Sequence, residues 1–205
     1  MTSPDENDGL QVNRNQEVQF ERGFKSWAEN TAISLRKRLG LSEVDPLGTK
    51  ELTSYLAIKI WTLNDIPNLS VEAKRYLLSK DGDEWSAITL REGNADVIII
   101  NSSHSPRRQA SDIAHECAHI LRGHSPAKMM PIVELEAVLR EYNDIQEAEA
   151  NWLAGCLLLP RPVLSYCAAR RMSEDEVCIK YNVSSNLYHY RVNVSGVKRQ
   201  FSRYK

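Results

Sequence analysis

Ile113-Ala114-His115-Glu116-Cys117-Ala118-His119-Ile120-Leu121 carries a His-Glu-x-x-His spacing inside a run with helical apolar patterning. Residues four apart stand nearly above one another on a helix, so His115 and His119 direct two imidazoles at one place from one rigid element. Glu116 projects from the adjoining surface, where it can take a proton from a metal-activated water and pass it on. Ile113, Ala114, Ala118, Ile120 and Leu121 predict a helix buried over much of its circumference. A single histidine in such a helix is ordinarily a hydrogen-bonded core residue. Two histidines and a carboxylate together are costly to bury without a common partner, and their spacing names zinc-assisted hydrolysis.

A catalytic zinc usually takes three protein ligands and keeps one position open. Downstream candidates are His124, Glu147 and Glu149. A metzincin arrangement would need Gly at position 122 and His at position 125, where this chain has Arg122 and Ser125. His124 lies beyond Gly123, which suits a helix end, and reads as a loop histidine. Glu147 is better placed, because Asn151 follows four residues later on the same face and can hydrogen-bond a ligand histidine from behind. Glu149 is the rival. A two-residue step turns a helical side chain by about 200 degrees, so Glu147 and Glu149 cannot both face one ion. Ala148, Ala150 and Ala154 let their helix approach the histidine helix closely.

Around these two helices the chain reads as α+β. Residues 1–15 are polar, acidic and without apolar periodicity, and are expected to be disordered. Phe20, Phe24, Trp27, Ala28, Thr31 and Leu35 predict a helix over 16–39, closed at Gly40. Thr49 is expected to cap a short helix, residues 58–62 to form a strand, and Ser70 to cap another helix. Residues 84–90 and 96–101 read as a hairpin that delivers the chain to the histidine helix, with Ser111 or Asp112 near its start. Residues 131–142 are expected to be helical, as are 145–159, which Pro160 and Pro162 terminate.

The 205 residues suffice for one sizeable core and a small appended module. There is no long uncharged apolar run and the first residues lack the pattern of a secretory signal, so the expected location is the cytoplasm and no membrane contact is expected. Cys117, Cys156, Cys167 and Cys178 form no Cys-x-x-Cys pair and read as reduced, buried residues. The formal charge of −1 conceals an asymmetry: from Arg161 onward nine Lys or Arg face three acidic residues, leaving that part at +6 and the preceding part at −7.

Residues 101–124, with an Arg pair followed by Ser-Asp-Ile-Ala-His-Glu-Cys-Ala-His-Ile-Leu-Arg-Gly-His, resemble the heart of the ImmA/IrrE family of zincin-like metallopeptidases. Residues 147–160, Glu-Ala-Glu-Ala-Asn-Trp-Leu-Ala-Gly-Cys-Leu-Leu-Leu-Pro, resemble that family's second signature. The likeness extends loosely over residues 20–165. It implies that His115, His119 and Glu147 hold Zn2+ and that Glu116 is the general base. It also implies a protein substrate, a helix-turn-helix repressor encoded in a mobile element or stress regulon. Cys117, where relatives often have Leu or Ile, is at an unconstrained position.

In the basic tail, Ser173 with Glu176 forms a capping box, the helix it starts ends near Asn182, and Ser184 is placed to cap another. This is helix-turn-helix lettering. Asn186, His189, Arg191 and Asn193 would be the residues of a DNA-reading helix, and the alternative is a helical cap packed on the catalytic part. The expected organisation is therefore a tail over 1–15, a zincin-like domain over 16–165 with a small, mostly antiparallel sheet against the histidine helix, and a basic helical module over 166–205. The expected function is zinc-dependent endopeptidase. The competing reading is a non-proteolytic anti-repressor or DNA-binding regulator whose metal is structural.

Overall fold

The computed structural model describes residues 19–78, 85–92, 95–124 and 143–198, and shows among them eight helices and a three-stranded sheet. Helix α1 (Phe24–Arg38) is followed by α2 (Thr49–Tyr55), strand β1 (Lys59–Trp61), α3 (Val71–Leu77), β2 (Ala87–Glu92) and β3 (Ala95–Ile100). Then come α4 (Pro106–Arg122), α5 (Asp144–Leu158), α6 (Arg161–Ala169), α7 (Glu174–Tyr181) and α8 (Ser185–Val194). The α+β class holds. The sheet is mixed: β3 is central, antiparallel to β2 from Ala87↔Ile100 to Glu92↔Ala95 and parallel to β1 from Lys59↔Val97 to Trp61↔Ile99.

Val97, Ile98, Ile99 and Ile100 are buried consecutively, as a central strand covered on both faces requires. Helix α4 lies against β2 and β3 on one side and packs chiefly on α5, which α1 covers from beyond. Ala114 and Ala118 of α4 and Ala150 and Ala154 of α5 are buried, and these small side chains let the two helices approach. One continuous hydrophobic cluster runs from Phe24 to Val197, taking in Val177, Tyr181 and Leu187 of α7 and α8.

Two buried arginines tie the far end of α5 to its neighbours. Leu157 and Leu158 have carbonyls beyond the reach of the helix's own hydrogen bonds, and Arg36 of α1 donates to both, at 2.9 and 3.4 Å, as well as to Asp45 and Ala32. Burial lowers the Arg36 guanidinium to about 10, which leaves it cationic at neutral pH. Arg191 of α8 donates to the Leu159 carbonyl at 3.0 Å and pairs with Glu29. Its stem crosses α5 at Gly155, where a Cβ would stand 2.7 Å from Arg191 Cδ.

Several boundaries differ from the sequence reading. Helix α1 starts at Phe24, and Phe20 instead stacks on Phe24 and meets the edge of Trp152. The histidine helix starts not near Ser111 or Asp112 but at Pro106, with Ser105 as cap accepting from the Arg108 amide. Asp112 instead lies 3.2 Å from His104 Nδ1. Pro160 and Pro162 end α5 but also begin α6, where a first-turn proline sacrifices no hydrogen bond. Ser70 and Ser184 act as caps, and Ser173 and Glu176 complete a reciprocal box.

Arg191 is fully buried and so is withdrawn from any DNA-reading set, while His189 is exposed and pairs with Glu174 at 3.0 Å. The expected tail over 1–15 and the helix over 131–142 lie outside the described residues. Among the described residues no single helix is long and apolar enough to cross a membrane. The bent pair α5 and α6 passes that test by length and composition only, and α5 is core, with nine buried residues.

Candidate metal centre

Helix α4 presents His115 and His119 one turn apart, with ring centroids 4.7 Å apart, and ends at Gly123, whose φ of 73° closes the helix in the left-handed region. Helix α5 begins at Asn143, whose side-chain oxygen accepts from the amides of Ile145 and Gln146. That cap sets Glu147 in the first turn, facing α4. His115 Nε2 lies 3.2 Å from Glu147 Oε2, His119 Nε2 lies 3.5 Å from Glu147 Oε1, and the two Nε2 atoms are 3.0 Å apart. All three side chains are partly buried, and one donor atom from each falls within 4.8 Å of the others.

Zinc–ligand distances of about 2.0–2.2 Å would put tetrahedral ligand atoms about 3.3–3.6 Å apart. Of the observed separations, 3.5 Å lies in that range and 3.2 and 3.0 Å lie just below it, so a small outward shift of the side chains lets the donor set take one ion. The far side of each imidazole is engaged. His115 Nδ1 donates to Asn151 Oδ1 at 2.9 Å, and His119 Nδ1 lies 3.0 Å from His124 Nδ1. With the protons on Nδ1, the Nε2 lone pairs converge on the space beside Glu147. Burial alone would raise the Glu147 carboxyl. In the metal-free chain, where an imidazole can instead carry its proton on Nε2, hydrogen bonds from His115 and His119 and their charge outweigh burial and hold that group well below the usual carboxylate range.

Glu116 is buried on the same stretch of α4, and Thr89 of β2 donates to its Oε2 at 2.5 Å. Cys117 is buried away from the site, its thiol pushed up to about 12 by burial and by the neighbouring Glu116 charge. All four cysteines are free and buried.

The two remaining sequence candidates do not join the cluster. Glu149 is turned to the other side of α5, as the helical step requires. It accepts from Arg122 Nε at 2.8 Å and Nη2 at 3.2 Å, and from His124 Nε2 at 3.1 Å. Burial would raise its carboxyl, but the bonds from Arg122 and His124 pull it below its ordinary value. His124 is a loop residue, as expected, yet its side chain is buried between His119 and Glu149. Burial lowers its imidazole pKa against the opposing pull of Glu149. Thr89 and Arg122 were not singled out in the sequence. Thr89 is one threonine in an alternating strand and Arg122 one arginine at a helix end, and nothing local marks either.

The profile of the IrrE N-terminal-like domain, a peptidase family, matches residues 73–193. The chain belongs to this family. The matched stretch takes in β2, β3 and all five helices from α4 to nearly the end of α8, so the IrrE-like domain includes both helices of the cluster. No curated protein matches this chain. Among solved structures, a Mycobacterium tuberculosis transcriptional regulator superposes with a TM-score of 0.51 at 14% identity, covering 82% of this chain and 46% of the regulator. At that identity the likeness is one of fold. This IrrE-like chain spans less than half of the regulator's length.

Proposed function

We propose that the protein is a zinc-dependent metallo-endopeptidase that cuts a helix-turn-helix transcriptional repressor at a specific site, in the reducing cytoplasm that suits its four free cysteines. The observation that carries this reading is the convergence of His115 Nε2, His119 Nε2 and a Glu147 oxygen, with the outer nitrogen of each imidazole already hydrogen-bonded. These three residues would hold zinc and Asn151 would orient His115. Zinc supplies a Lewis acid that polarises the scissile carbonyl and lowers the pKa of water to about 7.

Glu116 would take the proton of the attacking water and return it to the leaving amine. Thr89 holds its Oε2, which restricts the carboxylate's rotation and directs its reach. Strand β2 pairs with β3 along one edge, and among the described residues no strand pairs with its other edge. An extended substrate segment can add there, beside the Glu116 carboxylate that Thr89 of the same strand contacts.

The competing reading, a regulator with a structural metal, calls for a fourth protein ligand. His124 and Glu149, the nearest alternatives in the sequence, are both committed to other partners. That favours a site with an open position. The test is to purify the chain, assay zinc stoichiometry, and incubate it with the helix-turn-helix repressor encoded nearest to it. Glu116→Gln should retain zinc and lose about 10²–10⁴-fold in cleavage rate. Cleavage by Glu116→Gln at the full rate, or protein without stoichiometric zinc, would sink the enzyme reading.

A further inference from the structure

Behind the cluster the contact between His119 and His124 continues as a longer chain of polar side chains. His119 Nδ1 meets His124 Nδ1 at 3.0 Å, and His124 Nε2 meets Glu149 Oε2 at 3.1 Å. Glu149 is gripped by two nitrogens of Arg122, whose Nη2 also reaches Glu21 at 2.9 Å. The Arg122 guanidinium rests over the rings of Phe24 and Trp27, 5.5 and 5.3 Å from their centroids. The His124 and Glu149 side chains are each more than nine-tenths buried, so neither can exchange its partner for water.

The hydrogen-bond directions in this chain are forced from its outer end. Arg122 only donates, so Glu149 accepts as a carboxylate. The carboxylate requires a proton on His124 Nε2, and a neutral imidazole so protonated has its lone pair on Nδ1. That lone pair can accept only if His119 carries its proton on Nδ1. His119 Nε2 is then left as a lone pair aimed at the cluster. His115 reaches the same state by a single step, through Asn151.

We infer that His124, backed by Glu149 and Arg122, is a positioning residue that sets the tautomer and ring orientation of His119 for metal binding, as Asn151 does for His115. The inference rests on the peptidase reading insofar as that reading makes His119 a zinc ligand. It gives the loop histidine and the second glutamate of Glu147-Ala-Glu149 a task distinct from ligation. It also explains why the two glutamates stand two residues apart: one faces the imidazole Nε2 atoms, and the other reaches around to the outer side of His119.

The test uses the full chain and zinc itself. Zinc affinity is measured by competition with a chromophoric chelator for the wild type, His124→Phe, His124→Asn and Glu149→Gln, and Co2+ absorption bands report the ligand field. His124→Phe keeps a ring but removes both nitrogens, and should weaken zinc binding by about 10–100-fold and alter the Co2+ bands. His124→Asn, whose Oδ1 can replace the lost acceptor, should recover most of the affinity, and Glu149→Gln should fall between.

Affinity of His124→Phe within twofold of the wild type, or no recovery in His124→Asn, would overturn the proposal. Should His124→Phe not fold, imidazole nitrogen NMR on the zinc-loaded wild type decides. A His119 Nδ1 proton bonded to His124 supports the assignment, and one exchanging freely with water refutes it. Wild-type protein that binds no zinc would sink the peptidase reading as well, whereas zinc binding indifferent to His124 sinks only this inference.

Discussion

Replacing Asn151 by Leu removes the acceptor for the His115 Nδ1 proton at a site where the imidazole is only 18% exposed. The effect on zinc affinity follows from comparing the two states of the protein. Without metal, His115 can take the other tautomer and donate from Nε2 to Glu147, 3.2 Å away, so the loss is largely avoided. With metal, Nε2 must offer its lone pair, the proton must sit on Nδ1, and in the variant that proton faces a leucine. An unsatisfied, partly buried donor costs about 1–3 kcal/mol, borne only by the loaded state, so zinc affinity should fall about 5- to 150-fold. Asn151→Asp retains an acceptor and adds a negative charge, and should bind zinc at least as tightly as the wild type. Chelator competition measures both, with a thermal melt of the metal-free proteins as control. Equal affinities for Asn151→Leu and the wild type would refute the reasoning, as would an aspartate variant that binds as weakly as the leucine one.

Arg36→Met leaves the carbonyls of Leu157 and Leu158 buried without their donor. At about 1–3 kcal/mol for each, and about 2–4 °C per kcal/mol for a chain of this size, Tm should fall by at least about 4 °C, while zinc affinity measured well below the transition is unchanged. Gly155→Ala sets a methyl 2.7 Å from Arg191 Cδ and should destabilise by about 1–3 kcal/mol in denaturant titrations. In an Arg191→Ala background the same change should be neutral or stabilising by about 0.5–1 kcal/mol, since alanine is the better helix former. Glu149 titrates below its ordinary value in the folded chain, so its contribution to stability is present at neutral pH and is lost as pH falls from about 4.5 through the folded value. Glu149→Gln should therefore flatten the acid limb of the metal-free protein's stability curve.

What could be read from the sequence was local. The face shared by His115 and His119, the opposed directions of Glu147 and Glu149, and the caps at Ser70, Ser173 and Ser184 all follow from geometry within one or two helical turns, which a sequence states directly. The strand read over 96–101 was equally plain from its β-branched run, while its burial on both faces came from the structure. Positions that depend on docking were not legible. Thr89 and Glu116 are 27 residues apart, as are Arg122 and Glu149, and each pair meets only after β2 and α5 have packed against α4. Arg191 misled for the same reason. Its place on a short helix after a turn suits a DNA-reading residue, but α5 ends inside the core with unpaired carbonyls, and a buried arginine with several donors is the side chain that can satisfy them.

These long-range pairs divide α5 into two parts with different tasks. Its first two turns carry Glu147 and Asn151 to the imidazoles and Glu149 to Arg122 and His124, and its last turn is held by Arg36 and Arg191. Because α5 is rigid, the arginines at one end fix the height and rotation at which the carboxylates at the other meet the imidazoles. A rotation of about 100 degrees, one residue of helix, would take Glu147 away from both Nε2 atoms and part Glu149 from His124. The alternation Glu147-Ala148-Glu149 thus works only at the register the buried arginines impose. Loosening that anchor should reduce stability first and reach the cluster only when α5 itself begins to turn.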